Sequence, residues 1–120
     1  MAEHEAEEAA AAEAAARWLE HIDRGDAEGS WPGTSAAFQR AVTPELWRSS
    51  LERAQAGLGR ALERTLESAT YATELPGAPD GEYVVLQYAT RLEHKAKGGE
   101  TVALSRESDG SWKVGGYFVR

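Results

Sequence analysis

From Leu75 to Arg120 apolar and polar residues alternate in runs separated by turn sequences rich in Gly, Pro and Asp: LPGAPDG-EYVVLQYATRLEHK-AKGG-ETVALSRE-SDG-SWKVGGYFVR. A period of two within runs, broken by such turns, predicts an antiparallel meander. The expected strands are Glu82–His94, Thr101–Glu107 and Ser111–Val119. Lys97-Gly98-Gly99 and Asp109-Gly110 serve as turns. A further strand is expected before them over residues 62–75, where Thr and Tyr become frequent. Alternation puts Val84, Leu86, Tyr88, Leu92, Val102, Leu104, Trp112, Val114 and Phe118 on a face that packs on helices. The opposite face takes Tyr83, Val85, Gln87, Ala89, Arg91, Thr101, Ala103, Ser105, Lys113, Tyr117 and Val119.

The first half has a helical period. Ala11, Ala15, Trp18 and Ile22 recur at i, i+4, i+7 and i+11 in an Ala/Glu-rich stretch that ends at Arg24-Gly25. Asp26 is placed to cap a short helix through Trp31, and Ser35 to cap Ala36–Val42. Thr43-Pro44-Glu45 restarts a helix that carries Trp47, Leu51, Ala54 and Leu58 and ends at Gly57 and Gly59. Helices followed by four antiparallel strands predict an α+β fold. Its N-terminal helices would pack on one strongly curved sheet, a cystatin-like or NTF2-like cone eased by Gly115-Gly116.

At 120 residues the chain fits one domain with a real core. Residues 1–10 hold no large apolar group beyond Met1, so they read as a frayed or projecting acidic leader. The net charge of −7 belongs entirely to residues 1–28, and the rest is balanced. An acidic leader with no basic stripe weighs against nucleic-acid binding. No apolar run approaches the ~18 residues of a membrane span. The leader lacks the basic-then-apolar order of an export signal. Without Cys there is neither a disulfide framework nor a thiolate nucleophile.

The string LPGAPDGEYVVLQYAT, then ETV and DG-W-V-GY, with upstream W…F…VT-E-W and LG…SAT, closely resembles the bacterial domain-of-unknown-function 4019 family from about Trp18 to Arg120. The resemblance implies a small exported or periplasmic α+β domain, NTF2-like or cystatin-like, and brings no catalytic motif. The chain departs from the family pattern at Pro32-Gly33, which interrupts a helix that is usually continuous, and in its Glu/Ala leader.

Candidate chemistry is sparse. His21 lies near Asp23 and Asp26, and such neighbours would make it a general base. On a helix, however, His21 and Asp23 point apart, and Asp26 is better read as a cap. The three histidines show no metal-ligand spacing, and no cofactor is expected. Trp18, Trp31, Tyr88 and Trp112 would line a cavity between helices and sheet, where a small apolar ligand could bind. The preferred reading is therefore a non-catalytic binding or accessory module. The alternatives are an NTF2-like isomerase or hydrolase using His21 with Asp23 or Tyr88, and a redesigned scaffold of the same fold. A homodimer through the outer sheet face is expected, centred on Tyr83, Val85, Tyr117 and Val119.

Overall fold

The computed structural model describes residues 3–120; the start of the expected leader, residues 1 and 2, lies outside the described residues. Four helices, α1 (Glu5–Asp23), α2 (Ala27–Ser30), α3 (Ala36–Ala41) and α4 (Pro44–Leu58), precede four strands. The strands are β1 (Ala61–Ala72), β2 (Tyr83–Leu92), β3 (Lys95–Arg106) and β4 (Trp112–Val119). They form one antiparallel sheet in the order β1-β2-β3-β4. The fold is thus α+β, with N-terminal helices packed on a four-stranded antiparallel sheet. The starts of α2, α3 and α4 follow from their caps. Asp26 accepts from the Gly29 N–H, Ser35 from Phe38 and Thr43 from Leu46, and Pro44 opens α4.

α1 buries Ala11, Ala15, Trp18, Leu19 and Ile22 against the sheet. Removing Leu19 and Ile22 from water stabilises by about 2 kcal/mol each. The stretch from Glu5, where fraying was expected, is helical. His4 stacks on Tyr71, with centroids 3.7 Å apart, and the Glu8 carboxylate accepts the Tyr71 backbone N–H at 3.2 Å. Glu5, Glu7 and Glu8 also sit in the first turn, where the helix dipole favours acids.

The inner face of β2 and β3 follows the alternation: Val84, Leu86, Tyr88, Leu92, Val102 and Leu104 are all buried. β4 departs from it. Ala103 pairs with Gly116 and Leu104 with Val114, so Gly115 is an extra residue. A one-residue bulge moves every later side chain to the other face. Tyr117 therefore turns inward onto Trp18 and Val119 lines the inner face, while Phe118 is 63% exposed. The expected places of Phe118, Tyr117 and Val119 are all reversed.

The β2–β3 turn also moves. Leu92 pairs with Lys95, so the chain reverses at Glu93-His94, and Gly98-Gly99 lie inside β3. A Cβ on Gly98 would come within 2.6 Å of Leu92 Cδ1 and 3.1 Å of the Thr90 carbonyl. Glycine is needed there for close approach rather than for a turn. In β1, register shifts between Ala61 and Glu63 and between Leu66 and Ser68 bring Ala61, Arg64, Leu66, Ala69 and Tyr71 to the inner side.

Candidate functional site

The densest polar arrangement lies where α1 ends against the sheet. Glu100 on β3 is 1% exposed, and its carboxylate accepts from four groups. Arg64 reaches it through Nε at 2.6 Å and Nη2 at 3.1 Å, and Thr90 Oγ1 donates at 2.7 Å. The Tyr117 hydroxyl also donates to it. On its far side the Arg64 guanidinium grips Asp23 at the end of α1, with contacts of 3.0 and 2.8 Å. Its Cζ lies 5.9 Å from the Tyr88 ring centroid.

Position explains protonation throughout this cluster. Burial works to raise the Glu100 pKa, but donation from Arg64, Tyr117 and Thr90 outweighs it and holds the carboxyl below its usual range. Burial opposes the charge on Arg64, yet its bonds to Asp23 and Glu100 keep it firmly protonated. The Tyr117 phenol is pushed far above its ordinary value by burial and by the neighbouring Glu100 charge, so it stays a donor. Burial also raises Tyr88, with Arg64 opposing. Every buried side-chain polar atom among the described residues has a partner. The adjoining inner hollow measures about 20 Å³, the room of one water molecule. This cluster ties α1 and all four strands together, and the space on its Glu100 side is too small for a substrate.

The four aromatics expected to share a cavity do not converge. Trp18 belongs to a stack running from Tyr117 through Trp18, Trp47 and Phe38 to Trp31, with centroids 5.4–6.0 Å apart. Ser30 anchors that stack. Its carbonyl accepts from Trp18 Nε1 at 3.0 Å, and its hydroxyl accepts from Trp47 Nε1 at 2.8 Å while donating to the Ala27 carbonyl. Trp18 and Trp112 do share one surface hollow of about 270 Å³. Trp31 lines a different one of about 360 Å³ beside Pro44, and Tyr88 a third of about 310 Å³ beside Leu19 and Arg64.

His21 does not meet Asp23 or Tyr88. Its Nδ1 lies 3.0 Å from Asp26 Oδ2 and 3.2 Å from Arg24 Nη2, and one ring nitrogen can serve only one of them at a time. Asp26 is held below the usual carboxylate range by the Gly29 N–H first and His21 second. Asp23 is committed to Arg64. Among the described residues no group of three or more His, Asp or Glu side chains could hold a metal, and no helix is long and apolar enough to cross a membrane.

A family model described as "Protein of unknown function (DUF4019)" matches residues 14–117. The chain belongs to the DUF4019 family. No curated protein and no solved structure matches it. All members of the ionic cluster, Asp23, Arg64, Thr90, Glu100 and Tyr117, fall inside the DUF4019 span, as do Trp18, His21, Trp31, Tyr88 and Trp112.

A roomier hollow of this DUF4019 domain lies elsewhere, as a trough of about 660 Å³. α3 walls one side and the Leu75–Tyr83 connection the other, over the ends of β3 and β4. Its surface is mainly apolar, with Ala37, Ala41, Val42, Pro79, Ala103 and Phe118 along it. Of its five charged residues three are engaged: Arg106 pairs with Glu82 at 3.4 Å, and Glu107 accepts from the Ala36 N–H and Ser105 Oγ; Arg40 and Asp80 make no such contact among the described residues. Sequence reasoning missed both the trough and the ionic cluster. Glu100 carried a signal, since it stands two and four residues before the inward Val102 and Leu104.

Proposed function

We propose that the protein is a non-catalytic binding module that holds a small, uncharged, apolar ligand in the trough between α3 and the ends of β3 and β4. The supporting observation is the contrast between hollows. About 660 Å³ of concave, mostly apolar surface falls in the 300–1,000 Å³ range of small-molecule sites, whereas the space beside Glu100 admits one water. Glu82, Arg106 and Glu107 are engaged within the chain, the remaining rim charges Arg40 and Asp80 are of opposite sign, and the apolar lining favours an uncharged occupant. The NTF2-like or cystatin-like kinship and the periplasmic or secreted setting implied by the resemblance form part of this reading. Native mass spectrometry of the purified chain, followed by titration with n-decanol, tests it. Decanol should bind the wild type and bind Phe118→Asp about tenfold more weakly, the equivalent of ~1.4 kcal/mol. No binding, or equal binding by both proteins, would sink the reading.

A second reading has its own support. The outer face of β2 and β3 presents Tyr83, Val85, Gln87, Ala89, Thr101, Ala103 and Ser105, with charge from Arg91, from Glu63 opposite it on β1 and from Lys113 opposite Ser105 on β4. A ten-residue strand spans roughly 33 Å and four strands roughly 19 Å, giving about 600 Å². With the trough walls added, this approaches the ~800 Å² per partner of a standard interface. The occupant of that face would be a second copy related by a two-fold axis. A monomer by sedimentation at micromolar concentration, or a dimer indifferent to Val85→Glu, would exclude that arrangement.

A further inference from the structure

We propose that the separate hollow between α1 and the start of β4 binds a small aromatic carboxylate. Four residues of α1 face it, Ala14, Arg17, Trp18 and His21, at i, i+3, i+4 and i+7. None is acidic. The acids of the same helix end, Glu20 and Asp23, face the opposite hollow beside Leu19 and Arg64. α1 thus shows a positive side to β4 although the leading segment as a whole is acidic.

The indoles of Trp18 and Trp112 form the apolar floor, and the backbone of Gly33 presses on the edge of Trp18. A cavity of about 150 Å³ holds one benzene ring, so the ~270 Å³ here accommodates a ring with a polar substituent. Flat aromatic walls favour a flat occupant through offset or edge contacts.

The rim supplies the polar specificity. Arg17 is exposed and has no ion-pair or hydrogen-bond partner among the described residues. Lys113 Nζ donates once, to the Pro32 carbonyl at 3.2 Å, leaving two of its three N–H groups. The carboxylate beside His21, Asp26, is occupied by the Gly29 N–H at 2.9 Å and by His21 at 3.0 Å. The arrangement is therefore an aromatic floor beneath one planar guanidinium and one ammonium. A planar carboxylate matches the guanidinium fork through paired donors. A bare phosphate would leave the indoles unused, and a neutral ring would leave the cations unused.

Indole-3-carboxylate titrated into the full chain, followed in ¹H–¹⁵N spectra, tests the proposal. Tryptophan-to-phenylalanine variants assign the four indole N–H signals. The signals of Trp18 and Trp112 should shift saturably with Kd below about 1 mM, while Trp31 and Trp47 hold still. Losing one charge-assisted hydrogen bond should weaken binding about tenfold in Arg17→Gln, and likewise in Lys113→Gln. Indole itself should bind about tenfold more weakly than its carboxylate. Phe118→Asp, in the trough, should leave the affinity unchanged, which keeps this site distinct from the trough reading. Both cationic positions are surface residues, and a thermal melt verifies that the variants fold. Absence of a saturable shift at about 10 mM would overturn the proposal. So would an affinity unmoved by the Arg17→Gln/Lys113→Gln double variant, equal binding of phosphate, or shifts that follow Phe118→Asp.

Discussion

Replacing Arg64 by Met removes the guanidinium while keeping much of the side-chain stem. Glu100 then retains only Thr90 and Tyr117 as donors, and Asp23 loses both of its contacts from β1. Breaking a buried ion pair from one side costs about 3–5 kcal/mol. Arg64 is 17% exposed and the two hydroxyls still serve the carboxylate, so the lower end applies, about 3 kcal/mol. For a chain of this length that is a fall of roughly 12 °C in Tm. Acidity separates this mechanism from simple loss of packing. In the wild type the folded-state pKa of Glu100 is depressed, so its contribution is complete above the unfolded pKa and is lost as pH falls through the folded one. In Arg64→Met burial dominates and the folded pKa rises above the unfolded one. The ionised carboxylate then destabilises, and the deficit against wild type shrinks on acidification from pH 7 to pH 5. Urea unfolding of both proteins at the two pH values measures this directly. Arg64→Met/Glu100→Met, which removes both charges, should recover most of the loss. A deficit below about 1 kcal/mol at pH 7, or one of equal size at both pH values, would refute the reasoning.

Other expectations follow from the faces and contacts. Phe118→Ser should change stability by under about 1 kcal/mol, whereas Tyr117→Ala should cost roughly 3 kcal/mol, since it opens the aromatic stack and removes a donor from Glu100; denaturant midpoints distinguish them. Trp112→Ala should cost roughly 3–5 kcal/mol by calorimetry, because the side chain is buried on the inner face. Deleting residues 1–9 should cost about 1–2 kcal/mol through loss of the His4–Tyr71 stack and the Glu8 hydrogen bond; an unchanged Tm would show that α1 gains nothing from its first turns. Gly59→Ala should lose more than about 1 kcal/mol in the same assay: φ is +82°, and the added Cβ would lie 2.5 Å from Glu93 Cβ.

How far the fold could be read depended on how regular each strand is. Along β2, and along β3 from Glu100 to Leu104, side chains alternate without interruption, so their inward residues were legible directly. In β4 the extra Gly115 inverts the phase, and no local feature separates a bend glycine from a bulge glycine. β1 is doubly interrupted, so Arg64 has no phase to read, and with it the ionic cluster disappeared from view. Glu100 did keep phase with Val102. It went unnoticed because Gly98-Gly99 resembles a turn, when close approach by Leu92 and the Thr90 carbonyl is what requires glycine. Trp18 was visible through its helical period. Its partner Ser30 was not, because a serine that unites two indoles looks in sequence like any other serine of a short helix.

The interruptions in β1 also bear on how these molecules meet one another at high concentration. A sheet offers its neighbours two open margins, and a regular strand from another copy can extend either one indefinitely. Here the β4 margin is occupied near its start by the chain itself, through the Thr34–Val114 bridge and the Ser35 N–H on the Val114 carbonyl. The β1 margin carries two kinks that no straight strand can match along its length, and near its far end the Glu8 carboxylate already takes the Tyr71 N–H. Fibre growth by strand addition is therefore obstructed at both borders, even though Leu62 and Leu66 stand exposed on β1.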